Sequence, residues 1–386
     1  MSSESLPFRL SAVALTLLLS AACSGERVSP TDEPSNQIPV GVYAALTGPT
    51  ATFGRATRDG ATLAADEINA AGGLLGRQIQ LHVEDDQGKT EEAPSVVSRL
   101  ITRYNVVALI GENASSRSLA AAPVAQAAKI PMISPSSTNP AVTEKGDYIF
   151  RVCFLDSYQG EALAKFVREK LGLSRVAILR DVKNDYSVGL ADFFTRAFTA
   201  AGGSIVADQS YSEGDSDFKS QLTAIRAASP EAIFVPGYYT EAGSIAVQAR
   251  DLGITVPLVG GDGWGSPLLL EIGGKAVEGA YYGEHYFVRE ERPAVQNFVK
   301  RFRERFGTDP DAVNALSYDA MMMLAQAIRA GNSLEGPVIR DQLAAIRDFE
   351  GVSGVITMGA DRNPIKPVVI VKVENGTTVF ADRISP

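Results

Sequence analysis

VVALIGENASSRSLAAAPVAQAAKIPMISPSST, residues 106–138, is the stretch of sequence that decides the fold. It opens with five apolar residues at 106–110, continues through a polar loop into a helical segment at 117–129, and returns to an apolar run at 130–134. Short apolar runs without alternation are typical of strands in a parallel sheet that helices cover on both faces. The stretch therefore predicts one strand–helix–strand unit of an α/β fold.

The same alternation of strands and helices fills the chain on both sides of this unit. The predicted strands outside it lie at 38–46, 79–83, 176–179, 205–207, 232–235 and 256–259. The predicted helices lie at 54–71, 91–104, 188–201, 218–228, 241–252, 293–305 and 311–330, with a further one that Asp156 and Ser157 can cap. Two such series, each long enough for one sheet, predict an α/β protein with two doubly wound Rossmann-like lobes.

The composition limits the classes of function. The chain has 386 residues, 45% of them hydrophobic and 21% charged, as in an ordinary soluble protein of two domains. The formal net charge is -9, and basic residues are not concentrated as they are in nucleic-acid-binding proteins. Two cysteines, Cys23 and Cys153, are too few for a disulfide-rich scaffold. We therefore expect no nucleic-acid partner.

The first residues have the features of an export signal. The apolar run LSAVALTLLL at 10–19 is shorter than the roughly 20 residues that a membrane-spanning helix needs. Small residues at 20–22 precede Cys23 as in a bacterial lipobox, although Ser20 stands where leucine is usual. We expect a signal peptide at 1–22, a lipid on Cys23 and a flexible polar tether over 23–37. Ordinary cleavage after the small residues, without an anchor, is the alternative.

Polar loops follow the predicted strands, at the sheet edge where α/β folds bind ligands. Ser115 stands ahead of a helix that begins near Arg117, where backbone N–H groups favour an anion such as a carboxylate. A plain helix cap is the alternative. Ser136 and Thr138 can offer oxygens to an ammonium group, or form a polar turn. Asp262 is the countercharge for a cation, or a residue of an Asp-Gly turn.

Three aromatic residues, Tyr186, Tyr238 and Trp264, occur in the same loops. They can wall a pocket, although single aromatic residues more often serve packing. The loops contain no histidine or cysteine, and Arg180 is their only arginine. This set of side chains is suited to holding a small polar molecule and not to transforming it.

Several motifs together resemble the family of leucine/isoleucine/valine-binding proteins of ABC importers. In chain order they are LTGP at 46–49, NAAGGLLGR at 69–77, EDDQ at 84–87, PSSTNP at 135–140, FR at 150–151, DSYQG at 156–160, DY at 185–186 with Gly189, and DF at 217–218. The likeness runs from about residue 38 to the C-terminus and so covers nearly the whole chain after the tether.

The resemblance implies roles for the polar residues of the loops. In that family's pattern, Ser115 binds the carboxylate of the ligand, while Ser136 and Thr138 take its ammonium group. The family often has alanine at the position of Ser136, which indicates that the backbone carbonyl does the work there. Asp262 completes the ammonium site, where the best-known members have glutamate.

The resemblance also implies roles for the aromatic residues. Tyr186 and Tyr238 match tyrosines that the second lobe brings down on the ligand, and Phe53 matches an aromatic residue near the ligand's side chain. Trp264 beside Asp262 departs from the branched-chain binders and can reshape the side-chain pocket.

A three-strand hinge between the lobes is a further implication of the resemblance. The chain would cross near 153–156, 283–285 and 359–364. The first lobe would then comprise 38–154 with 284–360, and the second 155–283 with 361–386. Hinge closure around the ligand would be the mechanism, and an ABC permease of the inner membrane would be the protein partner of a monomer without cofactor or metal.

We therefore expect an extracytoplasmic binding protein, held in the cell envelope by its lipid, that captures a small amino acid, branched-chain or similar. A freestanding sensor of the same fold, with an amide, urea or another small polar compound as its ligand, is the alternative. An enzyme is disfavoured, because His82 and His285 lie in no recognised catalytic motif and Cys153 has no histidine near it in sequence.

Overall fold

The computed structural model describes residues 36–386, which form one compact unit. The expected signal peptide, Cys23 and residues 23–35 of the expected tether lie outside the described residues. No helix between residue 36 and the C-terminus is both long and apolar enough to cross a membrane.

The secondary structure alternates between strands and helices over most of this length. The strands are β1 Gln37–Ala44, β2 Gln78–Asp85, β3 Ala108–Ile110, β4 Met132–Ser134, β5 Ile149–Arg151, β6 Arg175–Asp181, β7 Ser204–Tyr211, β8 Ala232–Val235, β9 Leu258–Gly260, β10 Tyr281–Glu284, β11 Phe349–Gly351, β12 Gly354–Ile356, β13 Val368–Glu374 and β14 Thr377–Ile384. The α-helices are α1 Ala51–Ala70, α2 Ala93–Tyr104, α3 Ser115–Ala128, α4 Asp156–Lys165, α5 Asp185–Ala200, α6 Lys219–Ala227, α7 Tyr239–Asp251, α8 Pro267–Gly273, α9 Pro293–Phe306, α10 Ala312–Gly331 and α11 Gly336–Ala344.

The first sheet has the strand order β2-β1-β3-β4-β5 and is parallel throughout. Val42 of β1 lies in register with Val83 of β2 on one side and with Ile110 of β3 on the other. The chain thus winds outward in both directions from β1. The cleft between β1 and β3 is where an open sheet of this kind binds its ligand.

The second sheet has the strand order β14-β13-β10-β9-β8-β6-β7. The five strands β6, β7, β8, β9 and β10 are parallel to one another. From β6 the chain adds β7 on one side and then β8, β9 and β10 on the other, so the direction of winding changes between β6 and β8. Two parallel, doubly wound sheets confirm the predicted fold class of two α/β lobes. Three strands of this sheet were not predicted: β10, and the pair β13 and β14, which adds an antiparallel edge to the sheet.

The chain passes between the two sheets after β5, after β10 and before β13. After β10 it returns to the first lobe, where α9 and α10 share a hydrophobic core with β1 and α1. Leu324 of α10 and Ile68 of α1 are fully or almost fully buried in that core. The start of α10 is thereby carried to the cleft between the lobes.

Helix α3 begins at Ser115 and not near Arg117, so Ser115 is its first residue and Ala114 its cap. The Glu112 carboxylate fixes this start, since it accepts the N–H of Ala114 and pairs with the Arg117 guanidinium at 3.1 Å. A side chain located before the helix thus organises its first turn.

Candidate functional site

A small cavity lies between the carboxyl ends of the two parallel sheets. Its lining residues are Phe53, Asn113, Ser136, Tyr186, Tyr238, Asp262, Gly263, Gly265, Glu284, His285, Ala312 and Val313. Five of the eight predicted ligand contacts, namely Phe53, Ser136, Tyr186, Tyr238 and Asp262, therefore line one cavity. Ser115, Thr138 and Trp264 are not in its lining.

The first lobe contributes a polar wall and an aromatic edge to the cavity. The Ser136 hydroxyl donates to Oδ1 of Asn113 at 2.9 Å, and Nδ2 of Asn113 donates to the Thr57 hydroxyl at 2.7 Å. Phe53 meets the ring of Tyr238 edge-on, with 6.0 Å between centroids. The two hydrogen bonds lie within the first lobe and orient the polar side chains that follow β3 and β4.

The N-terminus of α3 lies directly behind this wall. Ser115 is 1% exposed, and its hydroxyl accepts the N–H of Asn139 at 3.2 Å. The N–H groups of the first turn have no acceptor within the helix, so they can bind an anion. Burial disfavours the charged form of Arg117, but the adjacent Glu112 carboxylate raises the pKa of Arg117 above its ordinary value. Arg117 is thus charged but paired with Glu112, and the partial positive charge of this lobe comes from the backbone N–H groups at the start of α3.

Thr138 lies between the two lobes without reaching the cavity lining. Its backbone carbonyl accepts the N–H of Asp156, the first residue of α4, at 2.9 Å. Burial and the nearby Asp262 carboxylate raise the pKa of Asp156 well above its ordinary value. Thr138 thus contacts the second lobe through its main chain, at the hinge side of the site.

The second lobe contributes two parallel tyrosine rings. Tyr186 and Tyr238 stack with 5.4 Å between centroids and 14° between ring planes. The Tyr186 hydroxyl accepts the N–H of Gly263 at 3.0 Å, which ties α5 to the loop after β9. Burial raises the pKa of both phenols, so they are neutral donors and acceptors at physiological pH.

Asp262 is held in place by neutral partners. Its Oδ2 lies 2.9 Å from Nε2 of His285, and its Oδ1 accepts from Nε2 of Gln159 at 2.9 Å. His285 stacks on Phe154 with 3.8 Å between ring centroids, and burial lowers its pKa, so the imidazole is neutral. The carboxylate is therefore oriented but not neutralised, which is the arrangement that attracts a cation.

Trp264 faces the core of the second lobe. Its indole is fully buried, and Nε1 donates to the carbonyl of Val235 at 3.0 Å. The ring covers Gly260, where an added Cβ would lie 2.2 Å from a ring carbon. Trp264 and Asp262 belong to one tight turn, and the turn directs their side chains in different directions.

Seven lining residues were not predicted, namely Asn113, Gly263, Gly265, Glu284, His285, Ala312 and Val313. Glu284 ends β10, a strand that was not predicted, so the strand-end argument that selected Asp262 was not applied to it. Ala312 and Val313 begin α10, and no local pattern signals their position because it depends on the packing of α10 against α1.

Direct hydrogen bonds hold the lobes together on both sides of the cavity. Near the start of α1, the carbonyl of Pro49 accepts from the hydroxyls of Tyr239 and Thr240, both at 2.9 Å. At the start of α5, the N–H of Asp185 donates to the Ser116 hydroxyl at 2.9 Å. The structure is thus the closed arrangement of the two lobes.

The amino-acid sequence matches known proteins over nearly all of the described residues. The profile of the periplasmic binding protein family matches residues 37–378. The Leu/Ile/Val-binding protein homolog 1 of Brucella suis biovar 1 (strain 1330) is 30% identical over 341 residues, which cover 87% of this chain and 90% of that protein.

Solved structures agree with this match. The leucine-binding protein LivK of Thermotoga maritima MSB8 has a TM-score of 0.86 and 39% identity, covering 90% of this chain and 99% of its own. The branched-chain amino acid transporter substrate-binding protein LivJ of Streptococcus pneumoniae, in complex with isoleucine, has a TM-score of 0.86 and 36% identity, covering 91% and 100%. The chain therefore belongs to the family of periplasmic binding proteins, which bind solutes without transforming them, and within it to the leucine/isoleucine/valine-binding proteins.

Proposed function

We propose that this protein is the extracytoplasmic substrate-binding protein of an ABC importer and that it captures an α-amino acid by closure of its two lobes. The observation that carries the proposal is the opposite charge preference of the two sides of the cleft between the lobes. The start of α3 favours an anion on one side, and the oriented Asp262 carboxylate favours a cation on the other. An α-amino acid carries both charges on adjacent groups.

The proposed contacts divide between the lobes. In the first lobe, Ser115 and the first turn of α3 take the carboxylate, and the main chain around Ser136 and Thr138 takes part of the ammonium group. In the second lobe, Asp262 completes the ammonium site. Phe53 and the stacked pair of Tyr186 and Tyr238 enclose the ligand from the sides, and Trp264 supports the turn that carries Asp262. The two neutral tyrosine rings exclude water from the cavity, and the polar groups of the two lobes bind the charged groups of the ligand.

The lobe boundaries of the proposal follow the sheets. The first lobe comprises 38–154 with 284–360, and the second 155–283 with 361–386. A lipid on Cys23 holds the protein at the membrane, and the closed lobes present one surface to an ABC permease. The relatives are named for leucine, isoleucine and valine, so these three amino acids are the reference ligands for any comparison of affinity.

A thermal-shift screen of the twenty amino acids, followed by calorimetric titration of the best ligand, tests the proposal. A bound ligand raises the melting temperature in proportion to the logarithm of its concentration over Kd. If amides, urea or carboxylic acids without an ammonium group raise it and no amino acid does, the amino-acid assignment is wrong.

Substitutions then test the ammonium site. Asp262→Asn removes a charge-assisted contact, which contributes about 1.5–3 kcal/mol, so Kd should rise ~10- to ~150-fold. Phe53→Leu keeps an apolar contact and should change Kd less than ~10-fold. Asp251→Asn, at an exposed position in α7, is the matched control and should leave Kd unchanged. Equal, small changes for Asp262→Asn and Phe53→Leu would contradict the role of Asp262.

A further inference from the structure

A second, more open cavity adjoins the first. The two cavities share three lining residues, Gly265, Glu284 and Ala312. The second one extends from that shared boundary between the β10 region and the start of α10. Its other walls are Ser266, Pro267, Leu270, Tyr282, Tyr286, Phe287, Val288, Asp309, Pro310, Asp311, Val371 and Thr378. Gly265, Glu284 and Ala312 therefore form the boundary between the two cavities.

Glu284 stands at the boundary with one carboxyl oxygen in use. Its Oε1 accepts the N–H of His285 at 2.8 Å, whereas Oε2 has no hydrogen-bond donor among residues 36–386. The residue is only 8% exposed. Oε2 lies over Gly265, where an added Cβ would come within 2.4 Å of it. A glycine thus makes room for a buried carboxyl group that faces both cavities.

The surrounding charges have one sign. Glu284, Asp309 and Asp311 line the second cavity, and neither lining contains a lysine or an arginine within the described part of the chain. Asp309 pairs with Arg303 outside the lining, while Asp311 caps α10 by accepting the N–H of Asn314 at 2.9 Å. Glu284 and Asp311 therefore have no ion-pair partner among the described residues, and such acidic groups disfavour an anionic or purely apolar occupant.

The remaining walls suit an organic cation. Tyr282, Tyr286 and Phe287 present aromatic rings to the second cavity, and the buried hydroxyl of Tyr286 has no hydrogen-bond partner in the described residues. Aromatic faces attract ammonium and guanidinium groups, and a phenol oxygen accepts their N–H groups. An aliphatic side chain that ended at Glu284 would leave the carboxyl oxygen and this hydroxyl unpaired.

We propose that the captured amino acid has a cationic side chain, an ammonium or a guanidinium, that reaches past Gly265 to Glu284 and the second cavity. This proposal rests on the proposed function, because Asp262 and the start of α3 hold the α-amino and α-carboxyl groups. A site built to hydrogen-bond one side chain rejects the analogue that lacks the bonding group. Compact branched-chain amino acids are therefore the weaker ligands.

Calorimetric titration of the unmodified protein with L-arginine, L-lysine, L-glutamine and L-leucine tests the proposal. L-arginine or L-lysine should bind at least ~10-fold more tightly than L-leucine and L-glutamine. Tightest binding of L-leucine, or of L-glutamine as a neutral polar competitor, would overturn the cationic side chain and leave the proposed function intact. Failure of all four, and of the other amino acids, would overturn the proposed function and this proposal with it.

Glu284→Gln separates a ligand contact from a structural role. This variant should weaken the best cationic ligand at least ~10-fold and change Kd for L-leucine less than ~3-fold. Equal losses for both ligands would overturn the direct contact. Glu271→Gln, at an exposed position in α8, is the matched control. Circular dichroism of each variant checks folding, and the ranking of ligands by the unmodified protein tests the proposal even if Glu284→Gln does not fold.

Discussion

Hydrogen bonds between the two lobes should contribute to ligand affinity, although the residues that form them do not contact the ligand. Two such contacts join the lobes at separate points of the cleft. The Ser116 hydroxyl accepts the N–H of Asp185, and the Thr240 hydroxyl donates to the carbonyl of Pro49. Neither Ser116 nor Thr240 lines the cavity. The double variant Ser116→Ala/Thr240→Val removes both hydrogen bonds and preserves the helices in which these residues lie.

The size of the effect follows from the position of the two hydrogen bonds. Both lie at partly exposed sites, where a neutral hydrogen bond contributes about 0.5–1 kcal/mol net. Their loss should destabilise the closed arrangement by about 1–2 kcal/mol, and Kd should rise ~5- to ~30-fold. Because the ligand contacts are unchanged, every ligand should lose the same factor.

Isothermal titration calorimetry with two ligands of different side chains measures this factor directly. Thr223→Val is the matched control, because the Thr223 hydroxyl donates to the Lys219 carbonyl within α6 and contacts no other lobe. The control should bind both ligands as the unmodified protein does. A change in Kd below ~2-fold in the double variant, or a factor that differs between the two ligands, would refute the reasoning.

Three further predictions follow from the site. Trp264→Phe removes a buried indole and its hydrogen bond to Val235, so the free energy of unfolding in urea should fall by about 2–3 kcal/mol. The same variant should change Kd less than ~2-fold, and a larger change in Kd would place Trp264 in the ligand pocket. Burial raises the pKa of Glu284 well above its ordinary value and that of Asp311 to about 7, and both groups are neutral below their raised pKa and charged above it. Titrations between about pH 6 and pH 8, the range in which Asp311 changes its charge, should therefore show affinity for L-arginine or L-lysine rising with pH and affinity for L-leucine almost constant, and a falling affinity for the cationic ligand would contradict the role of Asp311. Gly265→Ala should push Glu284 from its position and weaken a cationic ligand ~10-fold or more without lowering the affinity for L-leucine, as competition calorimetry can measure.

The sequence predicted the fold because its determinants are local. Unbroken apolar runs such as 106–110 indicate buried parallel strands, and the order of strands and helices then permits few topologies. The C-terminal hairpin of β13 and β14 was not predicted, although its turn has a recognisable sequence signal. Asn375 and Gly376 both have positive φ, 54° and 71°, as two-residue hairpin turns require.

The candidate site could be predicted only where it depends on strand ends. Asp262 and Tyr238 follow adjacent parallel strands, so their proximity follows from the rule that ligands bind at carboxyl ends. The order of the strands does not determine the direction in which a side chain of a loop points. Trp264 stands two residues after Asp262 but inserts into the core, because the tight turn and the absence of a side chain at Gly260 admit the indole there.

The charges of the site give a physical reason why ligand binding and lobe closure are coupled. In the closed arrangement, the Asp262 side chain is only 7% exposed and has two neutral partners, Gln159 and His285, while Glu284 is buried one strand away. Burying a carboxylate without a cation is unfavourable, so closure alone is opposed by desolvation, whereas in the open arrangement water solvates the same groups. A ligand ammonium group supplies the missing charge only when the second lobe has closed over it. The ligand therefore binds the closed arrangement more tightly than the open one, and this difference in affinity is what shifts the population toward closure.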